Sequence, residues 1–397
     1  MPENNEQDLF FMQQALELAV RGRPAPNPYV GAVIVKEEKI IGMGFHKKAG
    51  EAHAEVEAIF DVKKKNPKDW KSLLKGSTLY VNLEPCNHTG RTPPCTDAII
   101  DAGIGKVVFA MKDLNAKVKG DGEKKLREAG IEVESGILEE AAQAVNSAYI
   151  KALKTSMPLL TLKMAITLDG KTATSSGDSK WISCERSRMI VMKMRDKAGA
   201  VLVGAGTVLK DNPQLTARKL EKETDAKKSK NARANESVQT DFDEMEFVSP
   251  LRVIVDSNLS VSGDEKVFFD KNALVACTQK ADKKKIDKLQ KKGIDVLMCP
   301  ADKNGHVDLK FLLMQLQKRE INQVLCEGGA TLAKALLDEG LIDVMILFVA
   351  PKIIGGDGKS LFEGKGALEI ANATNAEIVN VASIGTDLMV VAKIAHK

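Results

Sequence analysis

Aromatic residues are scarce in this sequence, 4% of 397 residues with only 3 Tyr and 2 Trp, and its charge is nearly balanced: 58 Lys and Arg against 54 Asp and Glu, a formal net charge of +4. Proteins that hold single-stranded nucleic acid stack bases on aromatic rings along a basic groove. Neither ingredient is abundant here, so no nucleic-acid partner is expected. Long apolar runs are also missing; none approaches the roughly 20 residues that a bilayer crossing needs, so no membrane span is expected. The amino terminus, MPENNEQDLF, shows no basic segment followed by an apolar stretch and a small-residue cleavage site, which points to a cytoplasmic address. The 6 cysteines stand at positions 86, 95, 184, 277, 299 and 326. In a reducing compartment such a set reads as metal ligands or packing residues rather than as a disulfide framework.

What is present has the make-up of a soluble globular protein, 44% hydrophobic and 28% charged, with length for two or three domains of ~150 residues each. Asp8 to Val20 has helical spacing, and Val30 to Val35 and Lys39 to Gly44 read as two strands joined by a polar turn. His53 to Lys65 and Pro94 to Ala102 read as helices, and Thr78 to Leu83 and Lys106 to Met111 as strands. Glu139 to Thr155 reads as one long helix, with Pro158 just beyond it. The first domain is therefore expected over 1–155 and the second over 156–397, both α/β. Strands are expected in the second at Leu159 to Thr167, Ala200 to Val203, Leu251 to Asp256, Ala273 to Cys277, Asp295 to Cys299, Gln323 to Cys326 and Val344 to Val349. The stretch 219–246 is charged, poor in apolar residues and aperiodic, and reads as a mobile surface insertion.

The chemistry is most concentrated at His53-Ala54-Glu55, Pro85-Cys86 and Cys95. Taken singly, His53 reads as an ordinary partly buried histidine, and each cysteine as a small hydrophobe. Together and in this order they supply one imidazole, two thiolates and a carboxylate. Three N/S ligands leave a fourth zinc position open to a water whose pKa falls toward ~7, the arrangement of catalytic rather than structural zinc. Glu55, two residues after His53 at a helix start, is placed to shuttle the proton between that water and a leaving amine. Nucleobase deaminases carry H-x-E and then P-C-x-x-C, whereas eight residues separate Cys86 from Cys95 here. That long polar loop suits a substrate larger than a bare base, and Arg91 within it suits a phosphate.

The segment PCNHTGRTPPC, with Asn27-Pro28-Tyr29-Val30-Gly31 and the Gly42 to Gly50 run leading into His53-Ala54-Glu55, resembles the bifunctional deaminase/reductase family of riboflavin biosynthesis, RibD, and the resemblance covers nearly the whole chain. It implies a cytidine-deaminase-like three-layer domain followed by a dihydrofolate-reductase-like α/β domain. By the same resemblance Asn27 reads the pyrimidine edge, and substrate also meets His88 and Arg91 of the intercysteine loop and Asp113 and Asn115 downstream. Leu114 and Ala116 stand where the family has prolines.

In the second half no G-x-G-x-x-G follows a strand, so the usual dinucleotide fingerprint is missing. Two glycine-bearing junctions remain, Val203-Gly204-Ala205-Gly206-Thr207 and Cys326-Glu327-Gly328-Gly329-Ala330-Thr331. Either can bring backbone N–H groups to a phosphate, and either can equally be a plain tight turn. The resemblance implies NADPH, lined by Ala165, Trp181, Thr207, Asp211, Ser257 and the run Gly329, Ala330, Thr331, Leu332, Ala333, Lys334 and Ala335. It places Ser179, Arg195, Leu215, Arg218 and Glu327 at the substrate. Arg195 and Arg218 suit forked bonds to a ribose phosphate, and Glu327 suits sugar hydroxyls.

The expectation is thus a zinc- and NADPH-dependent enzyme that deaminates a phosphorylated diaminopyrimidine and then reduces its ribosyl chain to ribityl, with phosphorylated pyrimidines and further copies of itself as partners. A nucleoside or RNA-editing deaminase with an accessory domain is the alternative, and a zinc-stabilised binding protein with a fourth protein ligand is a third reading.

Overall fold

The structure, a computed structural model, describes residues 6–89, 93–115, 121–218 and 247–395. Arg91, Ala116 and the 219–246 stretch lie outside the described residues. The chain divides into two compact units, Met1–Met157 and Pro158–Lys397.

The first unit opens with α1 (Glu6–Ala19), β1 (Gly31–Lys36), β2 (Lys39–Phe45), α2 (Ala54–Lys65) and α3 (Trp70–Leu74). It continues through β3 (Thr78–Leu83), α4 (Cys95–Asp101), β4 (Lys106–Met111), α5 (Asp121–Glu128) and β5 (Glu132–Ser135), and ends in α6 (Glu139–Val145) and α7 (Ser147–Thr155). The five strands form one sheet in the order β2-β1-β3-β4-β5, with β1 antiparallel to both neighbours and β3, β4 and β5 parallel. Helices cover both faces. A Cβ on Gly31 would strike the α1 backbone at Ala15 O, 2.1 Å away, and one on Gly44 would strike α2 at Ala54 O, 2.3 Å away. Gly44 pairs with Ala32, the residue after Gly31, and successive strand residues face opposite sides. Hence α1 and α2 lie on opposite faces, and only glycine lets them approach so closely. The core between the layers is aliphatic, built from residues such as Val33, Ile34, Leu79, Val107 and Phe109.

The expected single helix from Glu139 to Thr155 is two helices. Asn146 breaks it, because its side chain is committed to a loop elsewhere in the unit: Oδ1 accepts from Tyr29 N at 2.8 Å and Nδ2 donates to Tyr29 O at 3.1 Å.

The second unit contains β6 (Leu159–Thr167), β7 (Lys171–Ala173), α8 (Glu185–Lys197), β8 (Ala200–Gly204), α9 (Ala205–Asp211), β9 (Leu251–Val255), β10 (Ala273–Cys277) and α10 (Lys283–Lys291). Then follow β11 (Asp295–Met298), α11 (Leu309–Lys318), β12 (Gln323–Cys326), α12 (Ala330–Asp338), β13 (Val344–Ala350), β14 (Lys359–Ser360), β15 (Ala376–Ile384) and β16 (Asp387–Ile394). Asp282 and Asp308 cap α10 and α11 through their side chains, accepting from Lys284 N and Phe311 N. Nine strands form the main sheet, β11-β10-β9-β8-β12-β6-β13-β16-β15. It is parallel from β11 to β13 and antiparallel at the β16 and β15 edge. From β8 the chain moves outward to β9, and from β12 it moves the other way, past β6 to β13. Ligands of open α/β sheets bind where the strand order reverses in this way, and both glycine-bearing junctions lie there, at the ends of β8 and β12. Among the described residues no helix is long and apolar enough to cross a membrane.

Candidate active sites

In the first unit three sequence-distant side chains converge. His53 ends the loop before α2 in extended conformation, as that helix's N-cap residue; Cys86 follows β3, and Cys95 opens α4. One donor atom from each lies within 4.8 Å of the other two. His53 Nδ1 is 3.1 Å from Cys95 Sγ and 3.5 Å from Cys86 Sγ. The thiols are inequivalent. A hydrogen bond from Cys95, aided by His53, holds the Cys86 thiol down to about 4, while Cys95, bonded to that sulfur and buried, is pushed far up. His53 is raised, chiefly by its bond to Cys86.

Glu55, on the first turn of α2, is 3% exposed. Burial raises its carboxyl to about 6 against the opposing pull of His53, and its Oε2 has no hydrogen-bond partner. A buried carboxylate oxygen left without a partner costs free energy and needs a reason. An imidazole and two sulfurs are the donor types that zinc prefers, and a carboxylate oxygen beside them left without a protein partner suits proton transfer at that centre. The residues fit the metal.

Two loops flank this centre. In the first, Asn27 Nδ2 meets His46 Nε2 at 3.1 Å, and the His46 ring stands edge-on to that of His53, 5.1 Å between centroids. The second carries Asp113, which is 5% exposed; its Oδ1 accepts from Asn115 N at 2.9 Å and from the Tyr149 hydroxyl at 3.1 Å. Burial raises the Asp113 carboxyl, against those two bonds. Glu84, next to Pro85-Cys86, accepts from Asp113 N at 3.3 Å and Glu123 N at 3.2 Å, tying this loop to the chain that delivers Cys86. His88 is exposed.

The second unit holds a cleft of about 1330 Å³, larger than the ~300–1,000 Å³ of a typical single-ligand pocket. Ala165, Trp181, Thr207, Asp211 and the helix start Gly329-Ala330-Thr331 line it, as do Ser179, Arg195, Leu215, Arg218 and Glu327. The two glycine-bearing junctions touch, since a Cβ on Gly329 would lie 3.4 Å from Thr207 Oγ1. The remaining cofactor expectations are not on the wall. Ser257 Oγ accepts from Val307 N at 3.1 Å. Leu332 and Ala333 are buried, and Lys334 pairs with Asp338 on its own helix. Only the first turn of α12 faces the cleft, because a helix turns successive residues away from any one surface.

Lys163, on β6, also lines the cleft, with its Nζ 3.7 Å from Glu327. Burial works to raise the Glu327 carboxyl, but the charges of Arg195 and Lys163 outweigh it and hold it below the ordinary value. Lys163 is lowered by burial.

Family models match both halves. Residues 5–111 match the cytidine and deoxycytidylate deaminase zinc-binding region, and residues 158–390, more than half of the chain, match the RibD C-terminal domain. The chain belongs to the RibD family. The riboflavin biosynthesis protein RibD of Escherichia coli strain K12 is 37% identical over 96% of this chain and 98% of its own length. A solved RibD structure from Acinetobacter baumannii superposes with a TM-score of 0.81 at 37% identity, covering 98% of this chain and 99% of the other. A structure from Thermotoga maritima described as a diaminohydroxyphosphoribosylaminopyrimidine deaminase/5-amino-6-(5-phosphoribosylamino)uracil reductase superposes with 0.79 at 36% identity, over 98% and 99%. As a RibD protein, the chain is a bifunctional deaminase and reductase of riboflavin biosynthesis, with a cytidine-deaminase-like unit followed by the RibD reductase unit.

Proposed function

We propose that the first unit hydrolytically deaminates 2,5-diamino-6-(5-phosphoribosylamino)pyrimidin-4(3H)-one, and that the second uses NADPH to reduce the ribosyl chain of the product, giving 5-amino-6-(5-phosphoribitylamino)uracil. The described activities of the Thermotoga maritima relative support this pair of substrates. The observation that carries the first step is the buried, partnerless Glu55 Oε2 beside His53, Cys86 and Cys95.

His53, Cys86 and Cys95 would hold zinc, which when bound acts as a Lewis acid that lowers the pKa of a water toward ~7. Glu55 takes one proton from the attacking water at Oε2 and passes it to the ring nitrogen, then takes the second from the hydroxyl left on the ring carbon and passes it to the departing amine, which leaves as ammonia. Its raised pKa of about 6 suits an acid–base group that must work in both directions near neutrality. Asn27, Asp113 and Asn115 bind the pyrimidine edge and hold the ring over that centre, with His88 and Arg91 serving the remainder of the substrate.

In the second unit, Thr207 and the start of α12 offer N–H groups to the cofactor phosphates, and Ala165, Trp181 and Asp211 line the rest of its path. NADPH when bound supplies the hydride. Arg218 and Ser179 serve the substrate phosphate, and Glu327, steadied by Arg195 and Lys163, orients the ribose.

The test supplies the phosphorylated diaminopyrimidine and follows ammonia release and NADPH oxidation separately in wild type, Glu55→Gln and Arg218→Ala. Glu55→Gln should abolish ammonia release yet still oxidise NADPH when given the deaminated compound; Arg218→Ala should release ammonia as wild type does but oxidise NADPH on the deaminated compound with a raised KM. Wild-type ammonia release by Glu55→Gln would refute the proton-transfer role.

A further inference from the structure

The two loops beside the zinc-ligand residues come from distant parts of the first unit, residues 27–30 ahead of β1 and 113–115 after β4. One helical turn grips both. Asn146, 1% exposed, holds Tyr29 by its backbone N–H and its carbonyl, at 2.8 and 3.1 Å. Three residues on, where a helix brings a side chain back to the same face, the Tyr149 hydroxyl donates to Asp113 Oδ1 at 3.1 Å. Asn82 adds a second hold on the first loop, accepting from Gly31 N at 2.8 Å and donating to Tyr29 O at 2.9 Å. Glu84 adds one on the second through Asp113 N. The backbone of the first loop is thus held by two side chains and that of the second by Glu84, while the Asp113 carboxylate accepts from its neighbour Asn115 N and from the Tyr149 hydroxyl.

We propose that Tyr149 is a positioning residue of the deaminase, fixing the Asp113 carboxylate and the 113–115 loop at the distance from the Asn27 loop that the pyrimidine ring requires. This rests on the deaminase reading above. Among the described residues the hydrogen bonds of Tyr149 go to the 113–115 loop and not to the metal ligands or Glu55, so its contribution falls on substrate binding rather than on proton transfer. A buried carboxylate that loses one of its donors is free to rotate away or to take another partner, and the site then loses the fixed geometry that a planar heterocycle needs.

The experiment is Tyr149→Phe, which removes one oxygen and keeps the ring that fills the helix packing. Zinc content, thermal midpoint, NADPH oxidation on the deaminated compound, and the KM and kcat of ammonia release are measured beside wild type. The expected result is a KM raised on the order of tenfold, the value of a hydrogen bond to a charged group, with kcat within about twofold, a thermal midpoint lowered by a few degrees at most, and zinc content and NADPH oxidation unchanged. An unchanged KM, a kcat loss without a KM change, or a fall in zinc content would each overturn the proposal. If the wild-type protein releases no ammonia, the deaminase reading fails and the proposal with it; if wild type is active and Tyr149→Phe matches it, only the proposal fails.

Discussion

Arg195 donates to both carboxylate oxygens of Glu327, Nε to Oε1 at 2.5 Å and Nη2 to Oε2 at 3.0 Å, while its Nη1 donates to Thr216 O at 3.1 Å. The planar fork that suits a phosphate is therefore taken up inside the protein, so on the proposed function Arg195 would act on the substrate through Glu327. Lys163 Nζ stands 3.7 Å from Oε2 of the same carboxylate. The resemblance implies a place for Arg195 among substrate residues, and these bonds leave it a positioning role in the proposed function.

Removing the charge from this cluster should be costly. Glu327→Gln leaves Lys163 and Arg195 buried beside a neutral amide, and breaking a buried pair in this way costs about 3–5 kcal/mol. Urea unfolding of the reductase unit should shift accordingly, NADPH oxidation should fall at least 100-fold, and ammonia release should be unchanged. Equal stability of variant and wild type would show that water reaches the cluster and screens it.

The same carboxylate predicts a pH dependence. Its folded pKa lies below the ordinary 4.5, so the folded state favours the charged form. That stabilisation is complete above the unfolded value and is lost as the pH falls through the lower folded one. The stability gap between wild type and Glu327→Gln, measured by denaturant titration, should be constant from pH 7 to about 5 and close as the pH falls further. A gap that widened toward acid would reverse the sign of the interaction.

Much of this was legible in the sequence where pattern and chemistry are local. The apolar runs of β6, β10 and β12 coincide with their strands to the residue, because short apolar stretches bounded by turn residues have few other ways to bury themselves. The zinc-ligand residues were legible because ligand chemistry restricts residue type and order. Asn146 was not: the apolar spacing reads straight through it, although Asn146-Ser147 is an N-cap signal, and what breaks the helix is a bond to Tyr29, 117 residues away. Lys163 lay in an apolar strand whose pattern says nothing of Glu327. The β15–β16 hairpin was missed because its outer strand is exposed almost throughout, which erases the alternation of buried and exposed residues; Gly385, at φ 63°, sits in the two-residue turn that marks it.

Arg218 carries the next prediction. Its Nη1 donates to Thr216 Oγ1 at 2.9 Å, which braces it at the cleft wall. If it binds the substrate phosphate, Arg218→Ala should raise the KM for the deaminated compound about 10- to 100-fold, the worth of one charge-assisted hydrogen bond or two, leaving the KM for NADPH unchanged. Arg218→Lys should recover only part, since an ammonium cannot reproduce the fork. A KM change confined to NADPH would move Arg218 to the cofactor.

Metal removal separates the two activities. With His53, Cys86 and Cys95 as the ligands, the isolated protein should carry about one zinc per chain, as expected for a single three-ligand site, and a strong chelator should abolish ammonia release while NADPH oxidation on the deaminated compound persists. These residues come from the N-cap of α2, the loop after β3 and the start of α4, so a bound zinc would tie together elements that are distant in sequence. Anything that binds only the folded state stabilises it, so the melting of the first unit should move down on chelation and recover on adding zinc, while that of the second stays in place. Cys95→Ser should lower zinc affinity and give the same partition at ordinary zinc concentrations. Loss of reductase activity in step with zinc would contradict the assignment of the metal to the first unit alone.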